Sequence, residues 1–321
     1  MVKQKVIAIV GPTASGKSAL GVFLAQKLNG EIISADSRQV YKGLNIGTGK
    51  VTKKEMGGIP HHLLDVASPK KQFSVDSFVK LGEKALAQIY KKEKLPIVVG
   101  GTGFYVDALL GRMSYSPVPP NPKLRAQLEK KTVKQLFAQL KKLDPTRATN
   151  IEPEHKRRLI RAIEIASARP TLPARALRAA RPSLTLASQS SASPKNTPEG
   201  LLFAERDILW LGIRPDEKVL NQKIYKRLLS RMKSGMLAEA KRLHKGGLPY
   251  KRMKELGLEY RSLAELLLGE TTQEEMLVTL ESAIRAYAKR QWRWFKRNKE
   301  IVWVKDKQEA LKLSKEFLSG R

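Results

Sequence analysis

The stretch KVIAIVGPTASGKSAL, Lys5 to Leu20, decides the fold. Its first six residues are short, apolar and β-branched, as a buried strand requires. The next eight, Gly11, Pro12, Thr13, Ala14, Ser15, Gly16, Lys17 and Ser18, fit the pattern G-x-x-x-x-G-K-[ST]. SALGVFLAQKL (Ser18 to Leu28) then reads as a helix. A strand, a Gly-rich turn and a helix in that order form a phosphate cradle. Backbone N–H groups turn inward around phosphate oxygens, and the helix N-terminus adds partial positive charge. Lys17 reaches the terminal phosphate, and the Ser18 hydroxyl is the expected protein ligand to Mg²⁺.

Working outward, EIISADS (Glu31 to Ser37) and PIVVGG (Pro96 to Gly101) read as further buried strands. A helix is expected between them, from Asp76 to Lys94, with Phe78, Leu81, Ala85 and Ile89 on one face. Alternating strands and helices predict an α/β fold, a P-loop NTPase-like core around a parallel sheet. From Pro122 to Ala168 the pattern turns helical without strands. Arg169 to Glu199 is rich in Ala, Ser, Pro and Arg and reads as a mobile basic segment. ILWLGI (Ile208 to Ile213) reads as a strand rejoining the sheet, and Pro215 as the opening of a helix striped by Leu220, Ile224, Leu228 and Met232, with Gly235 ending it. Thr272 and Glu275 have capping-box spacing at the head of a long helix reaching about Asn298, and IVWVK (Ile301 to Lys305) reads as a last strand. The expected organisation is a core from 1–112 and 201–321, interrupted by a helical insertion at 113–200.

The 321 residues carry 61 Lys and Arg against 30 Asp and Glu, a net charge of +31, which favours a polyanionic partner such as nucleic acid. There is no cysteine, so disulfides, thiolate nucleophiles and Cys-based zinc sites are excluded. The start of the chain is too short for a signal peptide and no run is long enough for a membrane span, so a cytoplasmic protein is expected. His61 and His62 point to opposite sides of an extended chain and have no third ligand nearby, so they read as structural residues near the acceptor site rather than a metal pair.

A P-loop alone predicts a nucleoside triphosphate enzyme. However, IVVGGTG ends in Gly100, Gly101, Thr102 and Gly103 where a Walker-B strand would end in Asp, and the acid at a strand end is Asp36. GPTASGKS, DSRQVYKGLNIGTGK, HHLLDV, VVGGTGFYVDALL, RRLIRAIEI and YAKRQWRWF, spanning roughly Val6 to Phe295, occur in the order seen in bacterial tRNA dimethylallyltransferases. The chain resembles that family over nearly its whole length. The resemblance implies transfer of a dimethylallyl group from dimethylallyl diphosphate to N6 of the adenine just 3′ of a tRNA anticodon, with Mg²⁺ as cofactor and a monomer as the working form. It implies that the P-loop holds the donor diphosphate, that Asp36 is the general base, and that Thr102 with Lys17 stabilises the departing diphosphate.

The same resemblance places Asp36, Ser37, Arg38, Gln39 and Thr102 at the target nucleotide. It places Arg125, Arg157, Arg158, Leu159, Ile160, Arg161, Tyr260, Arg261 and Arg285 on the tRNA. The family segment near residues 252–263 usually reads closer to I-G-Y-K/R-E, and here Leu258-Glu259 stands inserted before Tyr260-Arg261. Along the last long helix, Arg285, Lys289, Arg290, Arg293, Lys296 and Arg297 alternate with aromatics and suit RNA, whereas Tyr287 and Trp294 fall on the Leu280–Ile284 stripe and read as core. Two other enzymes share the P-loop: an isopentenyltransferase acting on free adenine nucleotides, and a small-molecule kinase. A non-catalytic RNA-binding protein explains the charge but not the set Lys17, Ser18, Asp36 and Thr102.

Overall fold

A computed structural model of the chain describes residues 4–113, 115, 116, 118–168 and 206–320. The segment 169–199, read above as a mobile insertion, lies outside the described residues. The chain divides into two compact units, Met1–Met113 with Phe203–Arg321, and Ser114–Leu202.

The first unit begins with strand β1 (Gln4–Val10), the P-loop and helix α1 (Lys17–Lys27). Strand β2 (Gly30–Ser34), helix α2 (Lys53–Met56), the two-residue strand β3 (His61–His62), helix α3 (Val75–Lys91), strand β4 (Leu95–Gly100) and helix α4 (Gly103–Leu109) follow. In the second unit lie α5 (Pro122–Glu129), α6 (Val133–Leu143), α7 (Pro145–Thr149) and α8 (Lys156–Ala168). The chain returns to the first unit with β5 (Arg206–Ile213), α9 (Glu217–Lys233), α10 (Met236–Lys245), α11 (Tyr250–Met253), α12 (Leu258–Leu267), α13 (Gln273–Phe295), β6 (Val302–Val304) and α14 (Lys307–Ser319). The helix expected to open at Pro215 starts two residues later. Asp216 caps it, its side chain accepting from the N–H groups of Lys218 and Val219, so the proline sits just outside the first turn.

All pairings among the six strands are parallel, in the order β3-β2-β4-β1-β5-β6. On one face Ile7, Ile9, Ile32, Ile97 and Leu211 pack with Leu20 and Leu24 of α1 and Ala310 of α14. The other face carries Val6, Ala8, Ile33 and Val98, all buried, and α3 covers it with Phe78, Leu86 and Ile89. Each such side chain contributes roughly 1.5–3 kcal/mol by leaving water. A second core gathers Val40, Tyr41 and Leu44 among α9, α10, α12 and α13, through Ile224, Leu228, Met236, Tyr260, Leu263, Met276, Leu280 and Ile284. It anchors the loop that follows β2 and so fixes where Asp36 to Gln39 begin.

The Ser114–Leu202 unit has its own core of Leu128, Leu136, Leu140, Leu159, Ile160 and Ile163. Along α8 the stripe Leu159, Ala162, Ile163 and Ala166 turns inward at helical spacing. Leu159 and Ile160, expected on the tRNA, are therefore 0% and 4% exposed and belong to this core.

Candidate active site

The P-loop leaves the central strand β1 at the carboxyl edge of the sheet, where parallel α/β sheets bind ligands. Gly16, the residue before α1, has φ +97, a conformation that side chains resist, and Ala14 takes φ +59. The loop is thus bent so that successive N–H groups turn inward. Lys17 Nζ donates to the Pro12 carbonyl at 3.0 Å, arching over the loop. Burial pushes the Lys17 ammonium down to about 8; the Asp36 carboxylate pulls it back up and the Arg227 guanidinium adds to the fall. Asp36 and Arg227 are thus coupled electrostatically to the lysine. Arg227, on α9, also donates to the Gly49 carbonyl at 2.9 Å.

Asp36 and Thr102 follow β2 and β4, neighbouring strands, so they stand side by side at the same edge. The Ser37 N–H donates to Thr102 Oγ1 at 3.1 Å, and the Thr102 N–H to the Ala35 carbonyl at 3.3 Å. Asp36 Oδ1 accepts from the N–H groups of Arg38 at 2.8 Å and Gln39 at 3.3 Å. That turn orients the carboxylate, and among the described residues nothing engages Oδ2, which is left for an acceptor. Gln39 Nε2 reaches the Gly49 carbonyl at 3.4 Å, and Arg38 Nη1 the Glu255 carbonyl at 3.2 Å.

Helix α13 closes the site from behind. Gln291, buried, accepts from the Thr13 N–H at 2.8 Å and donates to the Gly101 carbonyl at 2.8 Å, lacing the P-loop to the turn after β4. One turn earlier Tyr287 hydrogen-bonds Thr102; burial pushes its hydroxyl up to about 12, and the Asp36 charge adds to that rise. One turn later Trp294 Nε1 donates to Asp107 Oδ2 at 2.7 Å, and its ring lies so close to Gly103 that a Cβ there would collide with it. Tyr287 and Trp294, expected in the core, are instead half-buried at the site because their polar tips have partners there. Gln291, Tyr287 and Arg227 were missed in the sequence. The available signal was Gln291, a polar residue on the inward stripe of Leu280, Ile284, Ala288 and Phe295.

The donor set fits a hard cation carried by phosphate oxygens. The protein offers the Ser18 hydroxyl at the head of α1, and among the described residues no group of three or more His, Asp or Glu could cage a metal. Mg²⁺ bound through one hydroxyl, substrate phosphates and water has that demand.

The family model for IPP transferase matches residues 39–298. The chain belongs to the IPP transferase family. It is 39% identical to tRNA dimethylallyltransferase 1 of Geotalea uraniireducens over 97% of this chain and 96% of that one. The full-length tRNA isopentenylpyrophosphate transferase of Bacillus halodurans superposes with a TM-score of 0.68 at 33% identity, covering 99% of this chain and 96% of that one. A eukaryotic dimethylallyltransferase acting on tRNA gives a TM-score of 0.76 at 26% identity over 99% of this chain and 80% of that one.

The remaining positions expected on the tRNA divide by environment. Arg157 is exposed, whereas Arg158 pairs with Glu152 at 2.7 Å and Arg285 with Glu281. Arg261 is exposed, its Nε on the Lys254 carbonyl at 3.2 Å. Arg125 and Arg161 are committed elsewhere: both bind Glu164, a carboxylate 2% exposed, at 2.8 and 2.5 Å, and Arg161 also donates to the Val118 carbonyl. They neutralise a buried acid, which costs dearly when left unpaired. Tyr260, expected on the tRNA, is 1% exposed and donates to Glu239 Oε1 at 2.6 Å, packed in the core. His62 binds Glu31 at 2.7 Å near the amino ends of the strands, with Lys92 and Lys94, so the His-Leu block supports the sheet rather than the acceptor side.

Proposed function

We propose that this family member transfers the dimethylallyl group of dimethylallyl diphosphate to N6 of the adenine just 3′ of a tRNA anticodon. The observation that carries the reading is the pairing of a P-loop, without a Walker-B acid, with Asp36 and Thr102 on adjacent strand ends. The P-loop amides and Lys17 take the diphosphate. When bound, Mg²⁺ at Ser18 supplies further charge neutralisation for the departing diphosphate.

An exocyclic adenine amine is a weak nucleophile because its lone pair is delocalised into the ring. Asp36 Oδ2 accepts a hydrogen bond from N6 and takes its proton as the N–C bond forms and the C–O bond to diphosphate breaks. Thr102, held by Ser37 and Tyr287, lies between Asp36 and the P-loop and steadies the charge that builds on the leaving oxygen. The adenine must leave its stack to enter, as for other base-modifying enzymes. Exposed cations such as Arg157, Arg261 and Arg293 grip the RNA backbone.

Incubation with Mg²⁺ and labelled dimethylallyl diphosphate, with either such a tRNA or free AMP, tests the reading. Label on tRNA alone supports it; label on AMP makes the chain a nucleotide prenyltransferase, and phosphate transfer from ATP makes it a kinase. For the base, Asp36→Ala is expected to lower kcat by roughly 10²–10⁴-fold while leaving the tRNA Kd nearly unchanged. Equal losses in both would make Asp36 a recognition residue.

A further inference from the structure

β4 and β2 lie on one side of the P-loop strand, and β5 and β6 on the other. At the carboxyl ends of that second pair the chain forms a cleft of about 530 Å³, whose lining includes Ser15, Arg214, Lys223, Trp292, Trp303 and Lys305. Three cations line it and no carboxylate does. The Arg214 guanidinium is stacked 3.9 Å above the Trp292 ring, which itself meets Trp303 edge-on at 4.8 Å. Stacking fixes the direction of a guanidinium before any anion arrives, so less entropy is lost on binding.

The P-loop contributes an independent sign. Ser15 is 5% exposed, and its buried hydroxyl has no hydrogen-bond partner. The hydroxyl lies on the β5 side of the loop: a Cβ on Gly11 would stand 3.1 Å from Ser15 Oγ and 2.6 Å from the Ile213 carbonyl. An unpaired buried hydroxyl is costly, and a phosphate oxygen would relieve that cost. The transfer chemistry above uses none of these side chains.

We infer that this cleft is a second oligophosphate subsite, which takes the inorganic diphosphate after it leaves the P-loop. The inference rests on the reading that diphosphate is the leaving group. The chemistry matches: the anion carries several charges, fits a half-open cleft, and finds three cations and a hydroxyl with no acid in the lining. Arg214 covers a face of Trp292 and Trp303 meets that ring edge-on, so the cleft favours phosphate over a stacked base.

Calorimetric titration of the full chain with inorganic diphosphate tests this. Two sites are expected in the natural protein. Lys17→Ala should remove one, and Arg214→Ala with Lys305→Ala should weaken the other on the order of tenfold or more, since charge-assisted hydrogen bonds are lost. Lys223→Ala, on a different element, should weaken the same site. All three cations are exposed, so the variants keep the core intact. One site only, abolished by Lys17→Ala, overturns the inference. It is equally overturned if the double variant leaves diphosphate stoichiometry intact and weakens tRNA binding, which would assign the cleft to the RNA backbone. The titration contains neither prenyl donor nor RNA, so a failure of the prenyl-transfer reading, measured separately with labelled donor, is distinguishable.

Discussion

At Lys17 the pH dependence has a definite sign. Its ammonium is held at about 8, below the 10.5 of an unfolded chain, chiefly by burial. Below about 8 the charge proposed to grip diphosphate is fully present; it is lost as pH rises through that value. The burial penalty on stability runs the other way: it is full below 8 and relieved between 8 and 10.5. Diphosphate affinity is therefore expected to fall above pH 8, by up to about tenfold per pH unit, and Lys17→Arg should remove that step from the profile. The lysine itself was legible because the P-loop is a local pattern in which eight consecutive residues state their own chemistry. Asp36 and Thr102 needed the resemblance, since a lone acid or hydroxyl at a strand end is otherwise an ordinary turn residue. Gln291 was harder still, because its two partners lie 278 and 190 residues away.

Elements come into register through buried polar hubs that no periodicity announces. Glu239 of α10, 1% exposed, accepts from the N–H groups of Asn45, Ile46 and Gly47 and from Tyr260 of α12. One carboxylate thereby fastens the loop after β2 to two helices. Tyr260→Phe is expected to lower stability by about 0.5–1.5 kcal/mol in denaturant unfolding while leaving tRNA affinity unchanged. A selective loss of tRNA affinity would return Tyr260 to the RNA-contacting set. Glu239→Ala should cost more, because three amides lose their acceptor. The sequence shows Tyr260 beside Arg261 and hence a basic-aromatic pair; which of the two faces inward depends on helix packing around Leu263 and Ala264. Strands with an apolar run were legible for the same reason that β3 was not: His61–His62 has none, and it is held to β2 by backbone pairing and by the His62–Glu31 contact.

For the whole molecule the +31 charge is the dominant fact, and sequence alone displays it. How much of it is available to RNA is visible only in the fold. Arg125 and Arg161 are spent on Glu164, and Arg206 on the buried Glu83. Exposed Arg157, Arg293, Lys296 and Arg297 retain their charge for phosphates. The tRNA association constant is expected to fall linearly with salt on a log–log plot, while kcat at saturating tRNA stays level. Arg157→Ala should reduce the slope by about one. A flat salt profile would remove the backbone grip from the mechanism.

The strand order also sets the kinetics. With β4 lying between β1 and β2, the P-loop and Asp36 stand two strand spacings apart, about 10 Å, and Thr102 follows the strand between them. In the proposed reaction both substrates occupy the edge together, and the carbon passes directly from one to the other in a single displacement. Double-reciprocal plots of initial rate should intersect rather than run parallel, and labelled inorganic diphosphate should not exchange into the donor until tRNA is present.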